Sequence, residues 1–216
     1  MTRERWLEYL MEELDDEPTQ MFVEARQYNS LKHFGLYEKA LLLAWVHHHD
    51  DDDNPLQFVP FFERANKKRL RAEGDAFPYA GNVALYRGLS GTGARRQAKG
   101  LSWTDDIAIA TLFAYRWHGR RYSVKPHLAD RAADPQVYAV TIPAKNVLTF
   151  INGFGGRGKN ERECIVHPDS LPEPTVIEMD FDTVDFHRCK YDWDDNFRLR
   201  KCPTLEDFHA KGAVHA

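Results

Sequence analysis

The chain is 216 residues long, carries a net charge of −4 and is rich in aromatic residues. Nothing in it approaches the about 20 consecutive apolar residues of a membrane-spanning helix, which excludes a membrane protein of that kind. The length suits one catalytic-sized domain with a helical addition, large enough to bury a core.

Three scattered cysteines, Cys164, Cys189 and Cys202, form no CxxC and no even set, so they read as free thiols rather than a disulfide framework. Cys164, inside the apolar run ECIV, reads as a small buried hydrophobe rather than a nucleophile. Charge is unevenly placed. From Arg64 to Lys125 thirteen Lys or Arg stand against four Asp or Glu, a local excess of +9 within a chain of net −4. Such a segment suits a dinucleotide or a nucleic acid as well as it suits a set of solvated helix faces.

In chain order, the opening MTRERWLEYLMEELDDE alternates charged and apolar side chains, unlike the unbroken apolar core of a secretory signal, so a cytoplasmic protein is expected. Trp6, Leu7, Leu10, Met11 and Leu14 mark one apolar stripe of a helix over 3–15. Pro18 and Thr19 open a second helix running to about Tyr28, and Leu36 to Val46 predicts a third, strongly apolar one. The tract HHHDDDDN at 47–54 looks metal-like. Contiguous histidines point in different directions and rarely close one coordination shell. Histidines at a helix C-terminus followed by an acidic loop explain the tract without a metal.

A polar helix over 61–73 contains KKRLR and stops at Gly74. Beyond Gly81 the character turns to short β-type runs. NVALYRG and GLSWT come first, and Thr104 is placed to cap the helix DDIAIATLFAYRW, whose buried stripe is Ile107, Ala110, Ala114 and Trp117. QVYAVTIP, NVLTFI, ECIVHP and TVIEMDF follow. The expectation is an α+β protein: an N-terminal helical region, residues 1–80, packed on an antiparallel, sandwich-like core, residues 81–216.

Three pieces of that core carry chemistry. Arg87 ends the run LYRG, where a guanidinium can grip phosphate in a bidentate way beside a glycine that lets a ligand approach the backbone. Ser102 and Thr104 flank Trp103, and strand alternation puts the two hydroxyls on one face. Glu161 and Glu163 flank Arg162 at the mouth of the apolar run Cys164 to Val166. The same strand alternation puts both carboxylates on one face, where they can reach the same ligand, with Arg162 on the other.

In this order, YRG, then SWT, then ERECIVHP, the chain resembles the ADP-ribosyltransferase family of the arginine, serine, glutamate type. The resemblance covers roughly residues 83 to 180 and leaves the helical N-terminal third outside. The family pattern has Ser-Thr-Ser where this chain has Ser102, Trp103 and Thr104. The resemblance implies a split antiparallel β-sandwich and NAD+ as co-substrate, with no metal. It also implies that Glu163 stabilises the positive ribose and holds its 2′-hydroxyl, while Glu161 orients or deprotonates the acceptor. Arg87 would hold the NAD+ phosphates, the Gly88 backbone would meet the nicotinamide amide, and Ser102 would position Glu163. Trp103, Thr104 and Phe113 would help to form the cofactor pocket, although Phe113 reads more readily as ordinary core.

The glycine-rich loop INGFGGRGKN would recognise the acceptor through Phe154, Arg157 and Lys159. Its glycines make no phosphate loop, because no Lys-Ser/Thr ending or helix follows. A Glu at the first position of the acidic pair is associated in the family with arginine acceptors, which favours protein. The loop's positive charge fits an arginine poorly, and the basic stretch Lys67 to Arg71 with Arg95, Arg96, Arg120 and Arg121 suits an RNA or DNA base instead. A cytosolic agent of this type fits a toxin of a toxin-antitoxin or phage-defence system, with an antitoxin or inhibitor protein as a further partner and no membrane. On the residues alone two other classes stay open: a non-enzymatic nucleic-acid-binding module using segment 64–125, and a metal-dependent hydrolase using His47 to Asp53.

Overall fold

The structure is a computed structural model that describes residues 2–8, 28–47, 55–91, 97–115, 134–153, 160–179, 183, 191–193 and 199–201. The chain divides into two compact units, Met1–Ala76 and Phe77–Ala216.

The first unit is helical. It contains α1 (Arg3–Glu8), α2 (Tyr28–His33), α3 (Tyr37–His47), a short 3-10 turn (Pro55–Phe58), α4 (Val59–Arg64) and α5 (Lys67–Glu73). Trp6 of the first apolar stripe is buried. The rest of that stripe beyond α1, and the helix expected from Pro18, lie outside the described residues. Helix α2 was not expected, yet its end is written in the sequence. Gly35 takes φ 68°, the Leu36 amide reaches back to the Leu31 carbonyl at 2.8 Å and the Gly35 amide to Lys32 at 3.1 Å. Those paired bonds are a glycine-terminated helix stop.

Helix α3 falls within a residue of its expected bounds. From Tyr37 to Trp45 it is buried all round except at Lys39, as a helix apolar on every face must be. Trp45 meets Phe58 and Phe62 edge-on, with centroids 5.2 and 5.6 Å apart. The Tyr37 hydroxyl donates to the Phe61 carbonyl at 3.0 Å. The single helix expected over 61–73 is in fact two, α4 and α5. Asn66 breaks it: its side chain accepts from the amides of Lys68 and Arg69, both at 3.1 Å, while its own amide donates to the buried Glu38 at 2.8 Å. An asparagine that caps a new helix outcompetes continuation of the old one.

The second unit holds the strands β1 (Asn82–Leu89), β2 (Ser102–Thr104), β3 (Gln136–Pro143), β4 (Val147–Ile151), β5 (Glu163–Val166), β6 (Thr175–Ile177), β7 (Tyr191–Trp193) and β8 (Leu199–Lys201), with helix α6 (Ile107–Tyr115) after β2. The first six form one antiparallel sheet in the order β4-β5-β2-β1-β3-β6, and β7 pairs with β8 separately. The α+β class holds, with the strands expected to make a sandwich joined in a single six-stranded sheet and β7 and β8 added to them.

One face of this sheet carries the apolar cluster of Val83, Leu85, Trp103, Val140, Phe150, Cys164 and Val166. The other carries α6, through Ala110, Ala114, Val137 and Tyr86. A single register row crosses all six strands on the α6 face: Ile151, Glu163, Thr104, Tyr86, Ala139 and Thr175. Of the expected stripe, Ala110 and Ala114 of helix α6 are buried and Ile107 is half-buried, and Ala108, Ile109, Thr111 and Leu112 are covered as well. Trp117 lies outside the described residues. The helix is capped by Asp106, whose carboxylate accepts the Ala108 amide at 2.8 Å, and not by Thr104. The Thr104 hydroxyl instead accepts the Asp106 amide at 3.2 Å, two positions too early to cap the helix. Among the described residues no helix is long and apolar enough to cross a membrane.

Candidate active site

The three motif strands, far apart in sequence, are neighbours in space: β5, β2 and β1 lie side by side. β1 and β2 pair through one register position, Tyr86 with Thr104. Just past it the Arg87 Nη1 donates to the Ser102 carbonyl. Arginine side chains are long enough to do this from the wrong side. By strand parity Arg87 leaves β1 on the face of Val83 and Leu85, whereas Ser102, Thr104 and Glu163 leave on the α6 face. The guanidinium therefore meets the β2 backbone rather than the side chains across from it.

Gly100 makes room for that guanidinium. A Cβ on Gly100 would stand 2.4 Å from the Arg87 Nη2 and 2.5 Å from its Cζ. The Gly100 carbonyl is held in turn by the Trp103 indole N–H at 2.8 Å. Trp103 is 2% exposed and sits in the apolar cluster, so any part it takes at a site passes through its backbone. A Trp in the middle of the SWT run is the anchor that keeps residues 100 to 103 tight against Arg87.

Gly88 also has a packing role. A Cβ there would lie 1.8 Å from the Ala110 carbonyl oxygen and 2.6 Å from the Ala114 nitrogen, so its Cα face is where α6 rests on β1. Phe113 is half-buried and packs on Ile109 and Leu112. The acceptor-loop residues Phe154, Arg157 and Lys159 lie outside the described residues.

Directly across from Glu163 stands Thr104, not Ser102. Ser102 pairs with Ile165 and is Glu163's diagonal neighbour, at about 7–8 Å for such positions. The Thr104 hydroxyl is 6% exposed as a residue and donates to the Glu161 carbonyl at 3.1 Å. The two carboxylates are not on one continuous strand, because β5 begins at Glu163 and Arg162 has φ 50°. Alternation stops at Arg162. A left-handed backbone at arginine costs about 1–2 kcal/mol, and it persists only where its surroundings fix it.

Those surroundings are explicit. The Arg162 Nε and Nη2 donate to the two oxygens of Asp105, each at 2.6 Å, in a forked pair. The Asp105 side chain is 1% exposed and the Arg162 side chain 35%. Removing the cation would leave the desolvated Asp105 carboxylate without its forked partner, which is unfavourable. The Arg162 guanidinium also lies 5.9 Å from the Phe150 ring centroid, and Phe150 contacts Phe77, which contacts Tyr79. Asp105 holds Arg162 charged more firmly than an ordinary arginine. Tyr79 loses its proton less readily than usual, first through desolvation and then through the Asp105 charge.

Cys164 is fully buried, and burial, then the charges of Asp105 and Glu163, push its thiol far above the ordinary range. It is core, as its sequence context implies. Among the described residues no three His, Cys, Asp or Glu side chains gather as a metal site; residues 48–54 of the histidine-aspartate tract are outside them.

Sequence reasoning missed Gly100, Asp105 and the bend at Arg162. A glycine three residues before a Trp carried no signal of its own. Asp105 was masked by Asp106, since either can cap a helix.

No protein-family model, no curated protein and no solved structure matches the chain.

Proposed function

We propose that the chain is a mono-ADP-ribosyltransferase with an ADP-ribosyltransferase-like fold in its second unit. The observation that supports it best is the adjacency of β5, β2 and β1, which brings the Glu-x-Glu, Ser-Trp-Thr and Tyr-Arg-Gly segments together although up to about 80 residues separate them. The tie from Arg87 to the Ser102 backbone and the pairing of Thr104 with Glu163 support it further.

In the reaction the bond between the ribose C1′ and the nicotinamide nitrogen breaks, and its electron pair leaves with nicotinamide. Positive charge develops on the sugar, as in glycoside cleavage. The Glu163 carboxylate faces that charge and accepts a hydrogen bond from the 2′-hydroxyl. The acceptor nucleophile then forms its bond to C1′ and its proton passes to Glu161. Arg87 binds phosphate oxygens of the co-substrate, Ser102 orients Glu163, and the Gly88 backbone lies beside the nicotinamide amide.

The acceptor is a macromolecule, with protein arginine ahead of an RNA or DNA base on the Glu-x-Glu motif. A toxin of a toxin-antitoxin or phage-defence system, acting in the cytoplasm and held by an inhibitor protein, fits such an activity. The test is incubation with labelled NAD+ and a cell lysate, with separate protease and nuclease treatments. Label released by protease identifies a protein acceptor and label released by nuclease a nucleic acid. A lysate that takes up no label contradicts the transferase.

One observation favours a second reading. Lys67, Lys68, Arg69 and Arg71 on α5 are all exposed, as a non-enzymatic nucleic-acid-binding module would require. Such a module binds nucleic acid with steep salt dependence and consumes no NAD+.

A further inference from the structure

The pair Asp105–Arg162 joins two segments that the chemistry needs in fixed relation. Asp105 follows β2 directly, and Arg162 is the middle residue between Glu161 and Glu163. Three links converge there: the forked ion pair at 2.6 Å, the Thr104 hydroxyl on the Glu161 carbonyl at 3.1 Å, and the register pair of Thr104 with Glu163. Each acts on a different residue of the acidic triplet, so Glu161, Arg162 and Glu163 are each tied to the end of β2. Asn160, at φ 57°, and Arg162, at φ 50°, are both left-handed, so the chain turns twice immediately before β5. A segment with two such bends has many alternative conformations, and a planar, two-pronged contact selects one of them better than a point charge does.

The partner on the other side is equally specific. The Asp105 carboxylate is buried where an unpaired charge is costly to desolvate, so losing its forked contact with Arg162 is unfavourable. Phe150 supports the guanidinium from β4, and Tyr79 is coupled electrostatically to both members.

We infer that Asp105 is a positioning residue, acting through Arg162 to hold Glu161 and Glu163 in the geometry that catalysis uses. Its catalytic consequence rests on the ADP-ribosyltransferase reading; its structural consequence does not. Small misplacements of reacting groups cost about a hundredfold in rate while leaving remote binding intact. The expected signature is therefore a loss in kcat at nearly constant KM.

The full chain with Asp105→Asn, which keeps shape and an acceptor oxygen, and with Arg162→Lys, which keeps charge but loses the fork, provides the test. Nicotinamide release gives kcat and KM for NAD+, and amide hydrogen exchange reports residues 160–163 separately. Both variants are expected to lose about tenfold to a hundredfold in kcat with KM within about twofold, and to exchange faster at 160–163 than elsewhere. Arg162→Gln, lacking charge and fork together, is expected to fall below Arg162→Lys. A folded Asp105→Asn variant with unchanged kcat, or with KM raised in proportion to the loss, overturns the inference, and so does unchanged exchange at 160–163. If the unmodified chain releases no nicotinamide, the enzymatic reading falls, and the exchange measurement alone then decides the positioning role in the same two directions.

Discussion

Gly100 shows how a residue with no side chain can control one with the longest. Its missing Cβ is the space that the Arg87 guanidinium occupies, and the far end of a flexible side chain yields where backbone would not. Gly100→Ala is thus expected to leave thermal stability nearly unchanged while displacing Arg87. Losing a charged hydrogen-bonding contact to phosphate is worth about 1.5–3 kcal/mol, so KM for NAD+ should rise at least about tenfold, measured by nicotinamide release.

Cys164 behaves oppositely, with a role confined to the core. Its thiol keeps its proton at a pH where an unfolded thiol, with an ordinary value of about 8.5, loses it. The sign follows: this contribution to stability is complete below that value and declines as pH rises above it. Native protein at pH 8 should leave Cys164 unalkylated by iodoacetamide in peptide mapping, and denatured protein should not. Cys164→Ser should destabilise by about 1–3 kcal/mol in urea unfolding, because a hydroxyl is buried among apolar neighbours.

At the scale of elements, α6 and β1 meet at Gly88. The near-contacts of a Cβ there are backbone atoms of α6, at 1.8 and 2.6 Å, and those cannot step aside individually. Gly88→Ala should shift the whole helix and destabilise by about 1–3 kcal/mol or more, as overpacking does, in contrast to Gly100→Ala; paired urea unfolding curves distinguish them.

Much of this architecture was legible in the residues. The bounds of β3 are those of the run QVYAVTIP, and α3 lies within one residue of its apolar stretch, because period and composition agreed there. The failures have physical causes. Asn66 split a helix because a cap satisfies two amides at once, and Thr104 lost its capping role to an aspartate two residues later, next to the first helical residue. Strand alternation ended at Arg162 because an ion pair with a residue 57 positions away overrode the local pattern. Long-range pairings of that kind leave no periodic trace. Arg87 and Glu163 were each legible as chemistry, while their departure from opposite faces of the sheet appears only once the register is known.

At the scale of the molecule, the helical unit Met1–Ala76 and the sheet unit Phe77–Ala216 divide the candidate functions between them. The sheet unit carries the described residues proposed for NAD+ chemistry, and the exposed basic residues of α5 belong to the helical one. A chain whose only activity were nucleic-acid binding through α5 would be indifferent to Glu163, which lies in the other unit.

Nicotinamide release from NAD+ by the unmodified chain and by Glu163→Gln, with folding of both checked by circular dichroism, is therefore the most direct test. Removing the group that stabilises the transition-state charge should slow release by about a hundredfold or more. Equal release by the two proteins, or none by the folded unmodified chain, would contradict the assignment.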